Sequence, residues 1–252
     1  MKKILIIALA LVMVFSLTAC GGNNAGDDAA APPDKEAPAD NQTEPAGSPS
    51  EAYSKYIDVK SAAYERLSTK IGEHDELALT AGLALLPVVV VDMSLLPLTI
   101  IGVEGGEAAL EMFGMQGVSV DKDGDVYTVT YEDEEGNKIT QTCEFDAKTD
   151  SMRSVVSDGS KDSIVFEYVN TGDGYASQYT LYNEEDGQYT LITSFFNETD
   201  FVGFGMQTVK GEPDSIFGDT GLGPDFIKND EAYYMLEGDE MTIFMDGETK
   251  TY

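Results

Sequence analysis

The sequence predicts an α+β fold in which N-terminal helices pack on a long, curved antiparallel β-meander that resembles half of a barrel. Apolar residues recur at helical spacing before Gly117 and alternate from Val118 onward. Short turn signals such as Asp186-Gly187 separate the alternating segments, and such short connections require antiparallel neighbours. We therefore expect one globular domain over residues 51–252, helical over 51–117 and a sheet over 118–252.

The composition excludes a nucleic-acid binder. The chain of 252 residues carries 46 acidic and 15 basic side chains, a formal net charge of −31. Proteins that bind nucleic acids neutralise phosphates with clustered Lys and Arg, and here acids outnumber bases along nearly the whole chain. We expect no nucleic-acid partner.

The N-terminus has the pattern of an export signal. Lys2 and Lys3 precede an apolar run over residues 4–15, which is shorter than the about 20 residues of a membrane span. The sequence Leu17-Thr18-Ala19-Cys20-Gly21 follows, and it resembles the lipobox of bacterial lipoproteins. The resemblance implies a signal peptide over residues 1–19, diacylglycerol on Cys20 and an anchor at the outer face of the cell membrane, more in the manner of Gram-positive lipoproteins. The alternative is an ordinary signal peptide with a chance Cys.

A polar tether is expected to follow the lipidated cysteine. Residues 21–50 contain seven Ala, five Pro and four Gly and no large apolar residue. Such a segment cannot bury a core, so we expect residues 20–50 to be disordered. A random coil of this length would hold the domain about 30 Å from the membrane.

The first helix is predicted to begin at Ser48. Ser48 is placed as N-cap, Pro49 takes the first helical position, and Glu51 completes a capping box. Gly72 supplies the stop. An apolar stripe at helical spacing is expected to face the core: Tyr53, Ile57, Tyr64, Leu67 and Ile71.

Residues 77–103 are almost wholly apolar, and Asp92 is their only ionisable residue. A transmembrane span is disfavoured because Pro87 and Pro97 interrupt the run and no basic residue flanks it closely. A buried helical hairpin or broken helix is the default interpretation. An apolar lid over a ligand cavity or against the membrane is the third. One more short helix is expected over residues 107–115, ended by Gly117.

The second half of the chain is predicted to contain eight to ten strands. Val, Ile, Thr, Tyr and Phe dominate these segments, as is typical of strands. A long irregular loop over residues 210–229 is expected to form part of a rim. The predicted strands cover residues 125–131, 138–146, 163–170, 175–182, 188–196, 200–209, 232–236, 241–245 and 248–252.

A weak calcium-loop pattern begins at Asp121. Asp121, Asp123 and Asp125, with Glu132 at the twelfth position, match the spacing of oxygen ligands. Glycine stands at the fourth position instead of the sixth, however, and the residues after Asp125 alternate as a strand. A hairpin turn is the better interpretation, so we expect no metal and no cofactor.

Catalytic patterns are also missing from the sequence. Neither a phosphate-binding glycine loop nor a serine nucleophile elbow occurs. With Cys20 modified, Cys143 is the one remaining thiol, and it is in phase with the apolar Ile139 and Phe145, which predicts a buried position. The single histidine, His74, is expected on the surface in a polar turn. We expect no enzymatic activity.

A lipidated cysteine, a tether, and helices before a long meander resemble the half-barrel lipid-carrier lipoproteins of the LolA and LppX type. The resemblance is architectural, and it implies a concave apolar sheet face closed by helices with a lipid between them. The surplus of apolar surface in residues 77–103 supports such a cavity. Its predicted lining is Leu83, Leu86, Val89, Leu95, Leu98, Ile101, Phe145, Phe166, Tyr179 and Phe195.

A solid-core interaction or adaptor lipoprotein is the competing interpretation. In that case the helices fill the concave face, and the acidic surface binds a protein partner in the cell envelope. A packed core would favour the interaction protein, whereas a void of about 300 to 1,000 Å³ at the predicted lining would favour the carrier.

Overall fold

A computed structural model describes residues 48–74, 77, 88, 91–159 and 162–252. The predicted signal peptide, the lipobox with Cys20 and the tether up to residue 47 lie outside these residues, as do Leu83, Leu86 and Val89 of the predicted lining. The helices are α1 (Pro49–Gly72) and α2 (Gly106–Glu111), with 3-10 helices η1 (Leu96–Ile100) and η2 (Pro224–Asn229). Residues 91–94 are also helical.

An eleven-stranded antiparallel sheet dominates the structure, and its strand order follows the sequence from β1 to β11. The predicted antiparallel meander is therefore confirmed, and the described residues are mostly β with few helices, which is compatible with the α+β class. The strands are β1 (Gln116–Asp123), β2 (Val126–Glu132), β3 (Lys138–Asp146), β4 (Ser151–Ser157), β5 (Asp162–Asn170), β6 (Tyr175–Asn183), β7 (Gln188–Phe196), β8 (Phe201–Val209), β9 (Ala232–Glu237), β10 (Glu240–Met245) and β11 (Glu248–Thr251).

Tight turns set the register of the meander. In the last hairpin, Asp246 and Gly247 have positive φ of 55° and 78°, and they connect the paired residues Met245 and Glu248. Two successive positive φ values give the turn a twist that matches the flanking strands. The local pattern therefore predicted this hairpin correctly.

Helix α1 begins and ends where the sequence predicts. The backbone N–H of Glu51 donates to Ser48 Oγ at 3.3 Å, and Pro49 follows the cap. The predicted stripe faces the core, with Tyr53, Leu67 and Ile71 buried. The buried side of the helix is not limited to the predicted residues. The most enclosed side chains of the helix also include Tyr56, Lys60 and Ala63.

Three details of the predicted elements are wrong. The number of strands is eleven rather than eight to ten, because β1 and β4 carry weak alternation and were not counted. Helix α2 ends at Glu111, before the predicted end at Met115. Gly117 does not end this helix: it lies within β1, with a φ of +59°, at a register shift between Gln116 and Ser119.

The sheet buries apolar side chains on both faces. On its inner face, α1, residues 91–101 and the sheet share one large core. On its outer face a second cluster lies under the loop between β8 and β9, residues 210–231, hereafter the outer loop. This loop is not only a rim: η2 approaches β8 so closely that a Cβ at Gly203 would lie 2.1 Å from Ile227 Cδ1. The outer cluster comprises Val169, Ala176, Phe195, Phe201, Ile227 and Met235.

No helix in the described part of the chain is both long enough and apolar enough to cross a membrane.

Candidate functional site

A charged pair lies inside the inner core, between α1 and the sheet. Lys60 Nζ donates to both carboxylate oxygens of Asp92 at 2.7 Å and to the Tyr179 hydroxyl at 2.7 Å. The Tyr179 hydroxyl donates to Asp92 Oδ1 at 2.8 Å. The side chain of Lys60 is 5% exposed and that of Asp92 is 29% exposed. This cluster joins α1, strand β6 and the apolar segment at its one charged residue.

A chain of hydroxyl groups extends the cluster along the sheet. The Tyr56 hydroxyl lies 3.4 Å from that of Tyr179 and donates to Ser177 Oγ at 2.9 Å, which lies 2.7 Å from Ser194 Oγ. All four side chains are buried. Burying a hydroxyl group without a hydrogen-bond partner is costly, and in this row each of the four hydroxyl groups has another as its partner.

Aromatic rings surround the ammonium group. Lys60 Nζ lies 5.9, 5.6 and 5.1 Å from the ring centroids of Tyr56, Tyr64 and Tyr179, within the range of cation–π attraction. Burial lowers the pKa of Lys60, and the carboxylate of Asp92 opposes that shift. Burial also raises the pKa of Tyr179 well above its usual value. The three tyrosine rings surround the chain's own ammonium group, so the cluster ties Asp92 to α1 and β6.

A second buried carboxylate anchors the outer loop. Glu167 on β5 is wholly buried and forms an ion pair with Arg153 of β4. Ser215 Oγ donates to Glu167 Oε1 at 2.6 Å, and the Ile216 N–H donates to Oε2 at 2.9 Å. These contacts fix the first half of the outer loop on the sheet.

A third carboxylate fixes the other end of that loop. Asp230, next after η2, accepts a hydrogen bond from Thr193 Oγ1 of β7. Its side chain lies directly over Gly205, where a Cβ would come 2.0 Å from Asp230 Oδ2. Burial raises the pKa of Asp230 to about 6, against the hydrogen bonds from Thr193 and Gln207, which lower it.

The predicted lining residues fall into three groups. Leu95, Leu98, Ile101, Phe166 and Tyr179 have zero exposure and pack together in the inner core, with Phe145 partly buried against it. Leu83, Leu86 and Val89 lie outside the described residues. Phe195 is placed on the wrong face by the prediction. Successive side chains of a strand point to opposite faces, so Phe195 points outward because Phe196 points to the inner core. The centroid of the Phe195 ring lies 5.6 Å from that of Phe201.

Aromatic side chains from α1 occupy the space beside this predicted lining. The Tyr56 ring stacks on the Tyr168 ring, with 4.6 Å between the ring centroids, and meets the Phe166 ring edge-on, with 5.6 Å between the centroids. Tyr53 also meets Phe166 edge-on, at 6.0 Å. The inner face is therefore packed protein against protein around Phe166 and Tyr179.

Two cavities lie outside this core. One of about 500 Å³ lies between α1 and the β9–β10 turn, beside Arg66 and Lys70. The other, of about 350 Å³, lies at the β9–β11 end of the inner face, where Leu77 meets Tyr234, Ile243 and Tyr252. Neither cavity includes a residue of the predicted lining.

The candidate metal ligands lie on a hairpin. Asp121 and Asp123 are on β1 and pair with Thr128 and Val126 of β2, and Asp125 lies in the turn between the strands. The alternating run after Asp125 is thus a strand, as expected. Among the described residues, no group of three or more His, Cys, Asp or Glu could hold a metal ion.

Cys143 is buried, as predicted, whereas His74 is not a fully exposed surface residue. Burial raises the pKa of the Cys143 thiol to about 12, which suppresses the reactive thiolate. His74 is half-buried, with Nε2 enclosed and its ring 5.0 Å from that of Tyr252.

An exposed apolar pair follows α2. Met112 is 87% exposed and Phe113 is 65% exposed, the two largest such values among large hydrophobic side chains in the described part of the chain. Glu111 is exposed and precedes them directly in the sequence, Glu107 is half-buried one turn earlier on α2, and Glu134 lies beside Gly114. The sequence analysis did not identify this pair, because a Met and a Phe at the end of a short helix are also typical of a core.

The burial of Lys60 was not predicted either. Asp92 stood out as the one charge in an apolar segment, and Lys60 lies four residues from both Tyr56 and Tyr64, on one side of α1. That spacing was the available signal for a buried cation.

Comparison with known proteins found no matching family model, no matching curated protein and no matching solved structure.

Proposed function

We propose that this chain is a non-catalytic, lipid-anchored lipoprotein of the cell envelope whose domain docks a basic protein partner. Diacylglycerol on Cys20 anchors it at the outer face of the membrane, and residues 20–47 act as a tether, because helix α1 and its N-cap occupy residues 48–50 of the predicted tether. The curved meander is a scaffold, with α1 and residues 91–101 packed on its inner face.

The observation that carries the proposal is the exposure of Met112 and Phe113 on a domain of strongly acidic composition. Exposed apolar side chains of this size are typical of protein interaction sites. The adjacent Glu107 and Glu111, together with Glu134 beside Gly114, complement a partner that carries Lys or Arg around an apolar face. Packing at Phe166 and Tyr179 supports the solid scaffold over a cavity at the same place.

Peptide binding tests the docking surface. The intact chain in a non-ionic detergent is titrated with a synthetic amphipathic peptide of Leu and Lys and with its Leu–Glu counterpart. The double substitution M112S/F113S is expected to weaken binding of the basic peptide about fivefold or more, as at an interface hot spot. The matched control is Val126→Ser, which removes another exposed apolar residue. Equal loss in both variants, or preference for the acidic peptide, contradicts the proposal.

The anchor is tested separately, by mass spectrometry of the mature N-terminus. The expected product begins at Cys20 and carries diacylglycerol, and Cys20→Ala should abolish both the lipid and the cleavage. An unmodified N-terminus elsewhere contradicts lipidation.

Binding of an apolar ligand or lipid between helices and sheet is the second candidate function. The cavity at Leu77 favours it, because that cavity opens on the inner face at the start of the apolar segment. In this case the half-barrel would act as a carrier.

A further inference from the structure

The cavity at the β9–β11 end has the dimensions of a small-molecule site. Its volume of about 350 Å³ falls within the range common for ligand pockets. A cross-strand row forms its floor, since Ile243 of β10 pairs with Tyr234 on one side and Lys250 on the other. Leu77 borders it, and the Leu77 N–H donates to the His74 carbonyl at 2.9 Å.

Two tyrosine rings and two carboxylates share this cavity. Tyr234 and Tyr252 lie in its lining, and so do Asp246 and Glu248. The ring of His74 packs against Tyr252 at 5.0 Å, and the backbone of Tyr252 is bonded both ways to Met241 at 2.8 and 3.2 Å. The aromatic wall is therefore held in place before any ligand arrives.

The charged side chains of the cavity are not paired with each other. Asp246, Glu248 and Lys250 form no ion pair within 4.0 Å with any described residue. Lys250 lies two residues from Glu248, on the same side of β11. The lining thus has a formal charge of −1, inside a chain with a net charge of −31.

We propose that this cavity binds a small organic cation, an ammonium group on an apolar body. The apolar body lies on Ile243, Met245 and Leu77. The ammonium group lies over a tyrosine face and near the carboxylates of Asp246 and Glu248, an arrangement that attracts cations. Lys250 opposes the cation and limits its affinity. This site is separate from the Met112–Phe113 surface, so either proposal can fail alone.

Removing a negative charge and removing a positive charge from the cavity should change the affinity for a cation in opposite directions. The full-length chain in non-ionic detergent is titrated with benzyltrimethylammonium, and binding is followed by calorimetry and by saturation transfer to the N-methyl protons. Asp246→Asn and Glu248→Gln are each expected to weaken binding about two- to fivefold, and Lys250→Met to strengthen it by a similar factor. The matched controls are Glu240→Gln and Lys138→Met, which make the same charge changes on exposed strand positions outside the cavity.

Ligands of the other charge types complete the test. Benzoate and benzyl alcohol keep the ring but replace the cation with an anion or a neutral group, and both are expected to bind more weakly. The proposal is overturned by tighter binding of benzoate, by a loss of cation binding in Lys250→Met, or by no difference between Glu248→Gln and Glu240→Gln. Absence of saturable binding of benzyltrimethylammonium overturns it as well.

Discussion

At the scale of single residues, Lys60 and Asp92 depend on each other for their burial. An ammonium with 5% exposure is tolerated because a carboxylate and a tyrosine hydroxyl satisfy it. The pair adds little to stability relative to apolar residues that pack equally well, but the loss of one partner leaves an uncompensated charge. Its structural effect is to tie Asp92 to α1 and β6.

Asp92→Asn should therefore destabilise the domain by about 3 kcal/mol, because Lys60 stays buried without its counterion. Urea unfolding measures the change, with Glu65→Gln on the exposed side of α1 as the control. The double substitution Lys60→Met, Asp92→Leu should recover most of the loss. A loss in Asp92→Asn no larger than in Glu65→Gln would show that the pair is not structural.

Asp230 gives the stability a dependence on pH. Its pKa is raised to about 6 in the folded protein, above the about 3.9 of an unfolded chain. The folded state therefore binds the proton more tightly, so stability from this group is full below about pH 4 and is lost as pH rises through 6. The loss amounts to about 3 kcal/mol. Asp230→Asn should flatten that part of the urea-stability profile, and an unchanged slope between these pH values would contradict the account.

At the scale of elements, two anchors and one close approach hold the outer loop on the sheet. Glu167 binds its first half and Asp230 its end, and η2 lies over glycines of β8. Any side chain at Gly203 would meet Ile227, which is itself fully buried. The outer loop therefore covers a second core on the outer face of the sheet and does not extend from its edge as a free loop.

Gly203→Ala should lift η2 and destabilise the domain by about 1 to 3 kcal/mol through overpacking. Limited proteolysis within residues 210–231 and urea unfolding both report the change. Adding Ile227→Val removes the methyl group in the way and should restore part of the stability. Gly211→Ala, where a Cβ meets nothing within 4 Å, is the matched control. Equal proteolysis of the two single variants would argue against the close packing.

Local patterns predicted the elements well and the tertiary contacts poorly. Ser48, Pro49 and the Asp-Gly turns act within a few residues, so the helix start and nine strands were correctly predicted. The outer core was missed because it requires residues 210–231 to return over β7 and β8. The Lys60–Asp92–Tyr179 cluster was missed for the same reason, since its members lie 32 and 119 positions from Lys60.

At the scale of the whole molecule, packing and charge favour a scaffold that acts through its surface. Helix α1 packs Tyr53 and Tyr56 on part of the inner face, and the outer loop covers part of the other face. The net charge of −31 repels anionic membranes and attracts basic partners at long range, an effect that salt reduces. In the proposed function, the Met112–Phe113 surface supplies the short-range contact with that partner.

Native mass spectrometry tests the filled inner face most directly. Residues 45–252, secreted without Cys20 and purified without detergent, are weighed before and after incubation with phospholipid vesicles, and any bound material is extracted into organic solvent. We predict the mass of the polypeptide alone in both samples. A stoichiometric phospholipid or other long-chain adduct would contradict the packed scaffold and would identify the protein as a lipid carrier.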